Sequence, residues 1–182
     1  MNQERIEAAI TSLPICDYAF LEIKDIPFRE EVRHICRTEC SRYGKSWSCP
    51  PAVGTVEACR ERCEAYQGGF LFTSMAEVPD LEALEGTLAA RTEHEQITRQ
   101  GRDMFLGEGQ EVLVLSTESC AICEHCTYPD APCRCPDRMF PCLEGFGILV
   151  TGLAEHCGIA FLSGNNLVTW FSLILYRDRT LS

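Results

Sequence analysis

The chain is 182 residues long, 46 % hydrophobic and 24 % charged, which is the composition of one ordinary globular domain and neither a disordered nor a membrane-like one. Its net charge of −11 argues against binding to a phosphate backbone and suits neutral or positively charged partners. Thirteen cysteines is an odd number, and many stand too close together to pair. In a chain whose start shows no apolar signal segment, they point to reduced thiolates on metal and a cytoplasmic location.

In chain order, Asn2 to Thr11 reads as a short amphipathic helix with Ile6 and Ile10 on one face, ended before Pro14. Asp17 to Lys24 alternates as a strand does. Pro27 opens a second helix to about Glu39, with Val32, Ile35 and Cys36 as inward candidates. The segment SRYGKSWSCPP is turn chemistry: Gly44 frees the backbone, and Pro50–Pro51 predicts an extended Cys49. Thr55 caps a third helix from Val56 to about Gln67, whose face carries Cys59 and Cys63. Gly68–Gly69 ends it, and Phe70 to Ser74 is a strand. A long helix then begins at Pro79–Asp80 and runs to about Leu106. Leu81, Leu84, Leu88, Ile97 and Met104 form its apolar stripe, and His94 falls on its solvated side.

Glu111 to Ser116 is a strand of buried type that leads into Cys120. After the cysteines come a short helix near Leu143–Glu144 and another from about Val150 to Cys157. Leu167 to Arg177 is a last strand, with Trp170 and Phe171 on opposite faces. Four strands with helices between them predict a single α/β or α+β domain over residues 1–182, a sheet of about four strands covered by helices. No run approaches a membrane span, and no internal repeat, phosphate loop or dinucleotide fingerprint is present.

The chemistry concentrates in two cysteine groups. The first is Cys120, Cys123 and Cys126 at two-residue spacing, followed by Cys133, Cys135 with Pro136 behind it, and Cys142. Tight turns between evenly spaced cysteines point successive thiolates into one concavity and turn backbone N–H groups toward them. That is the arrangement that holds a [4Fe–4S] cube. Two-residue spacing also builds structural zinc sites, although these usually arrive as two separated knuckles. His125, between two ligand candidates, has no room to be a third. The second group is Cys36, Cys40, Cys49 and Cys59, with Cys63 as the alternative fourth member. Four thiolates from a helix end, a loop and a helix start can converge on one metal, whereas Cys59 or Cys63 can equally be a small buried side chain.

YGKSWSCPP, SCAICEHCTYPDAPCRCP and the LAEHCG…VTWFSLIL tail together resemble a family of predicted metal-binding proteins, largely of anaerobic bacteria and methanogenic archaea. The resemblance covers nearly the whole chain. It implies metal binding at Cys36, Cys40, Cys49 and Cys59, and at Cys120, Cys123, Cys126 and Cys133, but no particular reaction. Cys135 and Cys142 stand outside the family pattern, as alternative ligands.

The leading expectation is therefore an iron–sulfur protein with two [4Fe–4S] clusters, one per group. It would serve electron transfer or reductive activation and work with a redox partner protein, apart from nucleic acid and membrane. A second expectation is an enzyme in which Cys36, Cys40 and Cys49 leave one iron open as a Lewis acid or sulfur carrier, with Lys45 and Ser46 near the substrate. A third is a zinc-stabilised interaction module.

Overall fold

The computed structural model describes residues 2–77, 84–161 and 166–179, and within the long helix the side chains from residue 90 onward. In order come helix α1 (Gln3–Ile10), strand β1 (Tyr18–Leu21), helix α2 (Glu30–Glu39), helix α3 (Val56–Glu64), strand β2 (Gly68–Glu77), helix α4 (Leu84–Gly107), strand β3 (Gln110–Ser116), helix α5 (Val150–His156) and strand β4 (Leu167–Asp178). Single 3-10 turns lie at Ile23–Asp25 and Glu144–Phe146. The start of α4 predicted at Pro79, and its leucines at positions 81, 84 and 88, lie outside the described residues and side chains.

The four strands form one antiparallel sheet in the order β1-β2-β4-β3, which makes the domain α+β. Strands β2 and β4 are central and pair over ten positions, from Gly68↔Tyr176 to Glu77↔Leu167. Alternation along them divides the core in two, because successive side chains leave a strand on opposite faces. Leu71, Phe171, Leu173, Leu175 and Leu115 face a cluster built by α3, the 3-10 turn at Phe146, and α5. Phe70, Phe72, Ile174 and Val114 face Ile6 and Ile10 of α1 and Ile97 and Phe105 of α4. Trp170 belongs to a smaller cluster with Ala90, so Trp170 and Phe171 are both core and on opposite sides. Among the described residues no helix is long and apolar enough to cross a membrane.

Local signals explain several boundaries. The Thr55 side chain accepts from the Ala58 N–H at 3.1 Å, and the Asn2 side chain from the Arg5 N–H at 3.2 Å, both N-caps that satisfy an orphan helix donor. Strand β2 begins at Gly68, two residues before the expected Phe70. A side chain at Gly68 would meet the Tyr176 hydroxyl at 2.5 Å, so the absence of one lets the two strands close there.

Three expectations fail. Helix α2 contributes no buried residue: Ile35 is 54 % exposed, and Val32, Ile35 and Cys36 line an open cavity instead of a core. Cys49 lies in a chain of turns and not in an extended segment, its N–H donating to the Ser46 carbonyl at 3.2 Å. His94 is 1 % exposed and not on the surface. Its Nδ1 pairs with Ser74 Oγ at 2.7 Å and its Nε2 with Ser172 Oγ at 2.9 Å. The Ser172 hydroxyl in turn meets Thr98 Oγ1 at 2.8 Å and Ser116 Oγ at 3.1 Å. Burial holds the imidazole down to about 4 and therefore neutral, outweighing a backbone hydrogen bond at Phe171 that acts the other way.

Candidate metal centre

The segment from Thr117 to Pro141 carries no helix and no strand. It is tied down at both ends. The Thr117 N–H donates to the Phe171 carbonyl, and the Ser116 N–H to the Pro141 carbonyl, each at 3.0 Å, so the loop leaves and rejoins the sheet at the end of β3. A parallel bridge between Ser116 and Cys142 continues that closure. Inside the loop the chain is fixed by turns: Ala131 N–H to Thr127 O at 2.9 Å, Thr127 Oγ1 to Pro132 O at 2.8 Å, and Arg134 Nη1 to His125 O at 2.9 Å. Trp47 reaches over from the preceding cysteine segment, its indole N–H donating to Ala131 O at 3.0 Å and its ring edge-on to Tyr128 at 4.9 Å.

Cys120, Cys123, Cys126, Cys133 and Cys135 line one small cavity together with Ser46 and Trp47. The cavity between them is narrow, about 20 Å³. Cys126 is shifted toward ionisation. Burial pushes it up, but the backbone N–H groups of Tyr128, Trp47 and Thr127 and the Ser46 hydroxyl outweigh burial, and the net shift is down. Cys120 is pushed up, by burial first; the Ile122 N–H and the Arg91 charge pull the other way, and Glu95 and Cys133 add to the rise. His125 is exposed, beside Glu124 at 3.8 Å, and outside the cavity.

The other group assembles differently. Cys36 of α2 and Cys40 just past its end, Cys49 of the turn segment and Cys142 of the returning chain line a second cavity of about 820 Å³. Cys142 arrives there because its N–H donates to the Ser48 carbonyl at 2.9 Å. Its thiol donates to Glu144 Oε2 at 2.9 Å, and the Cys36 thiol faces the Glu144 carbonyl at 3.8 Å. Cys49 is lowered to about 6, first by its hydrogen bond with Cys142 and then by the Ser119 and Ser48 hydroxyls and the Arg42 charge, against burial. Cys142 is correspondingly pushed well up by that same pairing and by burial, and Cys36 is pushed up to about 11, chiefly by burial and then by Cys40 and Glu144. Cys49 thus carries the readily available thiolate of this wall.

Cys59, expected as the fourth member of this group, is elsewhere. With Val56 and Cys63 it falls at i, i+3 and i+7 on α3, and that face packs on the sheet. Cys59 and Cys63 are both fully buried in the apolar cluster, Cys59 with its thiol 3.4 Å from the Val53 carbonyl and 3.8 Å from Arg33 Nη2. Burial raises both thiols, Cys63 to about 12. The residue that joins Cys49 instead is Cys142. Lys45 is exposed, whereas Ser46 faces the smaller cavity and pairs with Ser48 Oγ at 2.9 Å.

Ser48 stands between the two groups. Fully buried, it accepts the Cys120 N–H on its hydroxyl at 2.8 Å and lies 3.6 Å from Cys49 Sγ. The strap Ser46–Cys49 is therefore a common wall, one side turned to each set of thiols. All thirteen cysteines are free thiols, and among the described residues no three His, Cys, Asp or Glu side chains are gathered tightly enough to hold a single ion. The donors themselves are soft thiols, which suit zinc or iron–sulfur centres and not magnesium or calcium.

The model of the family described as "Predicted metal-binding protein (DUF2284)" matches residues 19–176, so the chain belongs to that family. No curated protein and no solved structure matches it.

Proposed function

We propose that this member of a metal-binding family is an iron–sulfur protein holding two [4Fe–4S] clusters and serving one-electron transfer or reductive activation together with a redox partner protein. Cys120, Cys123, Cys126 and either Cys133 or Cys135 would hold one cluster. Cys36, Cys40, Cys49 and Cys142 would hold the other, Cys142 replacing Cys59. The observation that carries the reading is the convergence of five thiols from one irregular loop on a single cavity, with backbone N–H groups aimed at Cys126. Cysteine-ligated clusters supply low-potential one-electron chemistry, tuned by such N–H···S bonds and by burial. The chain's own part is to fix the thiols, to satisfy them with the hydrogen bonds around Ser46–Cys49, and to screen them with Trp47 and Tyr128.

A second reading has its own observation. Five cysteines of one loop line one narrow cavity, and four thiolates suffice for a structural zinc site, so zinc is the alternative at that loop. Either centre would require the loop to adjust, against turn hydrogen bonds such as Ala131 to Thr127 and the Trp47 contact to Ala131.

Anaerobic purification with iron, sulfide and zinc measured on the same sample decides between them. About eight iron and eight sulfide per chain, with a broad absorption band near roughly 400 nm that bleaches on reduction, is the expected result. One or two zinc and no sulfide would replace the redox reading with a structural one.

A further inference from the structure

The cavity beside Cys36 and Cys49 is much larger than a metal centre needs. At about 820 Å³ it lies within the range of pockets that enclose small organic molecules, roughly 300–1,000 Å³. Its walls are largely apolar: Val32 and Ile35 from α2, Ile148 and Leu149 before α5, and Val150 at its start. Ile35 and Leu149 are 54 % and 37 % exposed, large apolar side chains turned to an opening where a folded chain gains nothing from them.

The charges around the cavity are uneven in quality. Arg91 of α4 lines it at 4 % exposure, with its Nε buried and without a partner. Its Nη2 donates to the Ser119 carbonyl and meets Glu95 at 3.2 Å. Glu95 is shared, because Arg99 approaches its other oxygen at 2.9 Å. Among the described residues two guanidiniums thus divide one carboxylate, which leaves positive charge beside the cavity wall for an anion to meet. Arg42 adds a second cation at the rim. Of the two carboxylates on the lining, Glu144 is engaged by the Cys142 thiol and Glu118 is exposed.

We infer that this cavity binds an apolar organic acid, its acid group meeting Arg91 and its hydrocarbon body lying on Val32, Ile35, Ile148 and Leu149. Such a ligand would sit against the thiols of the second group, so the protein receives a molecule there and is not solely an electron carrier. The inference rests on the cavity and its charges and holds whichever metal the cysteines take.

The test uses the full chain as purified, with metal content recorded for every sample. Two fluorescent probes share one aromatic body: 8-anilinonaphthalene-1-sulfonate carries an acid group, and N-phenyl-1-naphthylamine carries none. One saturable site per chain is expected for the sulfonate. Arg91→Met should weaken the sulfonate about tenfold and leave the neutral probe within about twofold. Ile35→Glu, at an exposed position where folding is not at stake, should weaken both probes about tenfold. Unchanged binding in Ile35→Glu, or many weak sites, would overturn the cavity as the site. Equal losses of both probes in Arg91→Met, with its thermal transition retained, would overturn the recognition of the acid group. If Arg91→Met does not fold, Arg91→Lys serves, and the sulfonate should then lose affinity by a smaller factor than in the methionine variant; no loss in Arg91→Lys would overturn the role given to the guanidinium. A zinc-only metal content with the binding pattern intact would end the iron–sulfur reading and leave this one standing.

Discussion

The sheet and the cysteine-bearing cap are held together by different physics. Around β2 and β4 the chain buries Phe70, Phe72, Leu71, Phe171, Leu173 and Ile174 almost completely, and the two apolar clusters meet the sheet from both sides. From Cys120 to Met139, by contrast, every residue is at least partly exposed and the structure consists of turns. Burying apolar area stabilises the sheet at about 25 cal/mol per Å², and nothing comparable is available to the loop. What the loop has is thiols on one cavity. The sheet therefore has an apolar core of its own, whereas the cap has none, and its cysteines are what it offers in place of one.

The largest expected effect breaks the cap alone. Cys123→Ser should remove one whole centre, about four of roughly eight iron on the cluster reading, while the cooperative unfolding of the sheet remains. Proteolysis is the sensitive check: cleavage between Cys120 and Met139 should accelerate many-fold, and the body should stay intact. The two-cluster assignment is sharpened by a pair of variants. Cys142→Ser should lose the other centre. Cys59→Ala should keep full metal content and lower stability by about 1–2 kcal/mol, as expected for a small cavity in a packed core. Metal loss in Cys59→Ala with none in Cys142→Ser would reverse the assignment.

The sheet has its own point of weakness in the buried Ser74–His94–Ser172 network. The folded state holds His94 near 4, against an ordinary value of 6.5, so between these values the unfolded chain binds the extra proton. Stability is therefore fully present above about 6.5, falls as the pH drops through that window, and levels below about 4. The most this one group can remove is about 3 kcal/mol. Glu144 acts in the opposite sense, since burial raises its pKa, so the readout is the difference between the wild type and His94→Gln. Urea midpoints at pH 7 and pH 5 should diverge for the wild type and lie closer together for the variant. Equal pH dependence in the two would show that the histidine is not held neutral.

How much of this could be read from the residues differs between the two halves for the same reason. The β-branched and aromatic residues of LVTWFSLILYR and the Thr55 cap are local signals, and β4 and the start of α3 appear where these signals place them. The even spacing of Cys120, Cys123 and Cys126 is local too, and the three share a cavity. His94 was not legible, because its partners come from β2 and β4, far off in sequence, and its own helix is charged on the neighbouring positions. Cys142 was not legible as a neighbour of Cys49, since what brings them together is a backbone contact with Ser48 and a bridge to Ser116, both far away in sequence. Cys59 had helical spacing that fits either a ligand or an inward face, and only the packing of α3 decides.

Ser48→Ala addresses the wall that the two cysteine groups share. It leaves the Cys120 N–H without its acceptor at 2.8 Å and takes a hydroxyl from beside Cys49, at a position with no exposure to water. A loss of about 1–3 kcal/mol is expected for a buried donor left unmade. If the groups are coupled through this residue, both centres should change together, visible as parallel shifts in metal occupancy. A change confined to one would mean that the wall is only mechanical.

The smallest expected effect is at Cys157, which ends α5 and packs against the edge of the inner apolar cluster. It lines neither cysteine cavity. Burial raises its pKa, with the nearby Asp25 charge adding to the rise, but what sets it apart from the candidate ligands is its distance from both cavities. Cys157→Ser replaces a half-buried sulfur by a hydroxyl that the exposed side of the site can hydrate. Stability should change by no more than about 0.5–1 kcal/mol, and metal content not at all. Because this thiol is more accessible than Cys59 and yet remote from both cavities, it separates thiols that matter by position from thiols that matter by number. Metal loss in Cys157→Ser equal to that in Cys123→Ser would mean that total thiol content, and not the two cavities, governs binding.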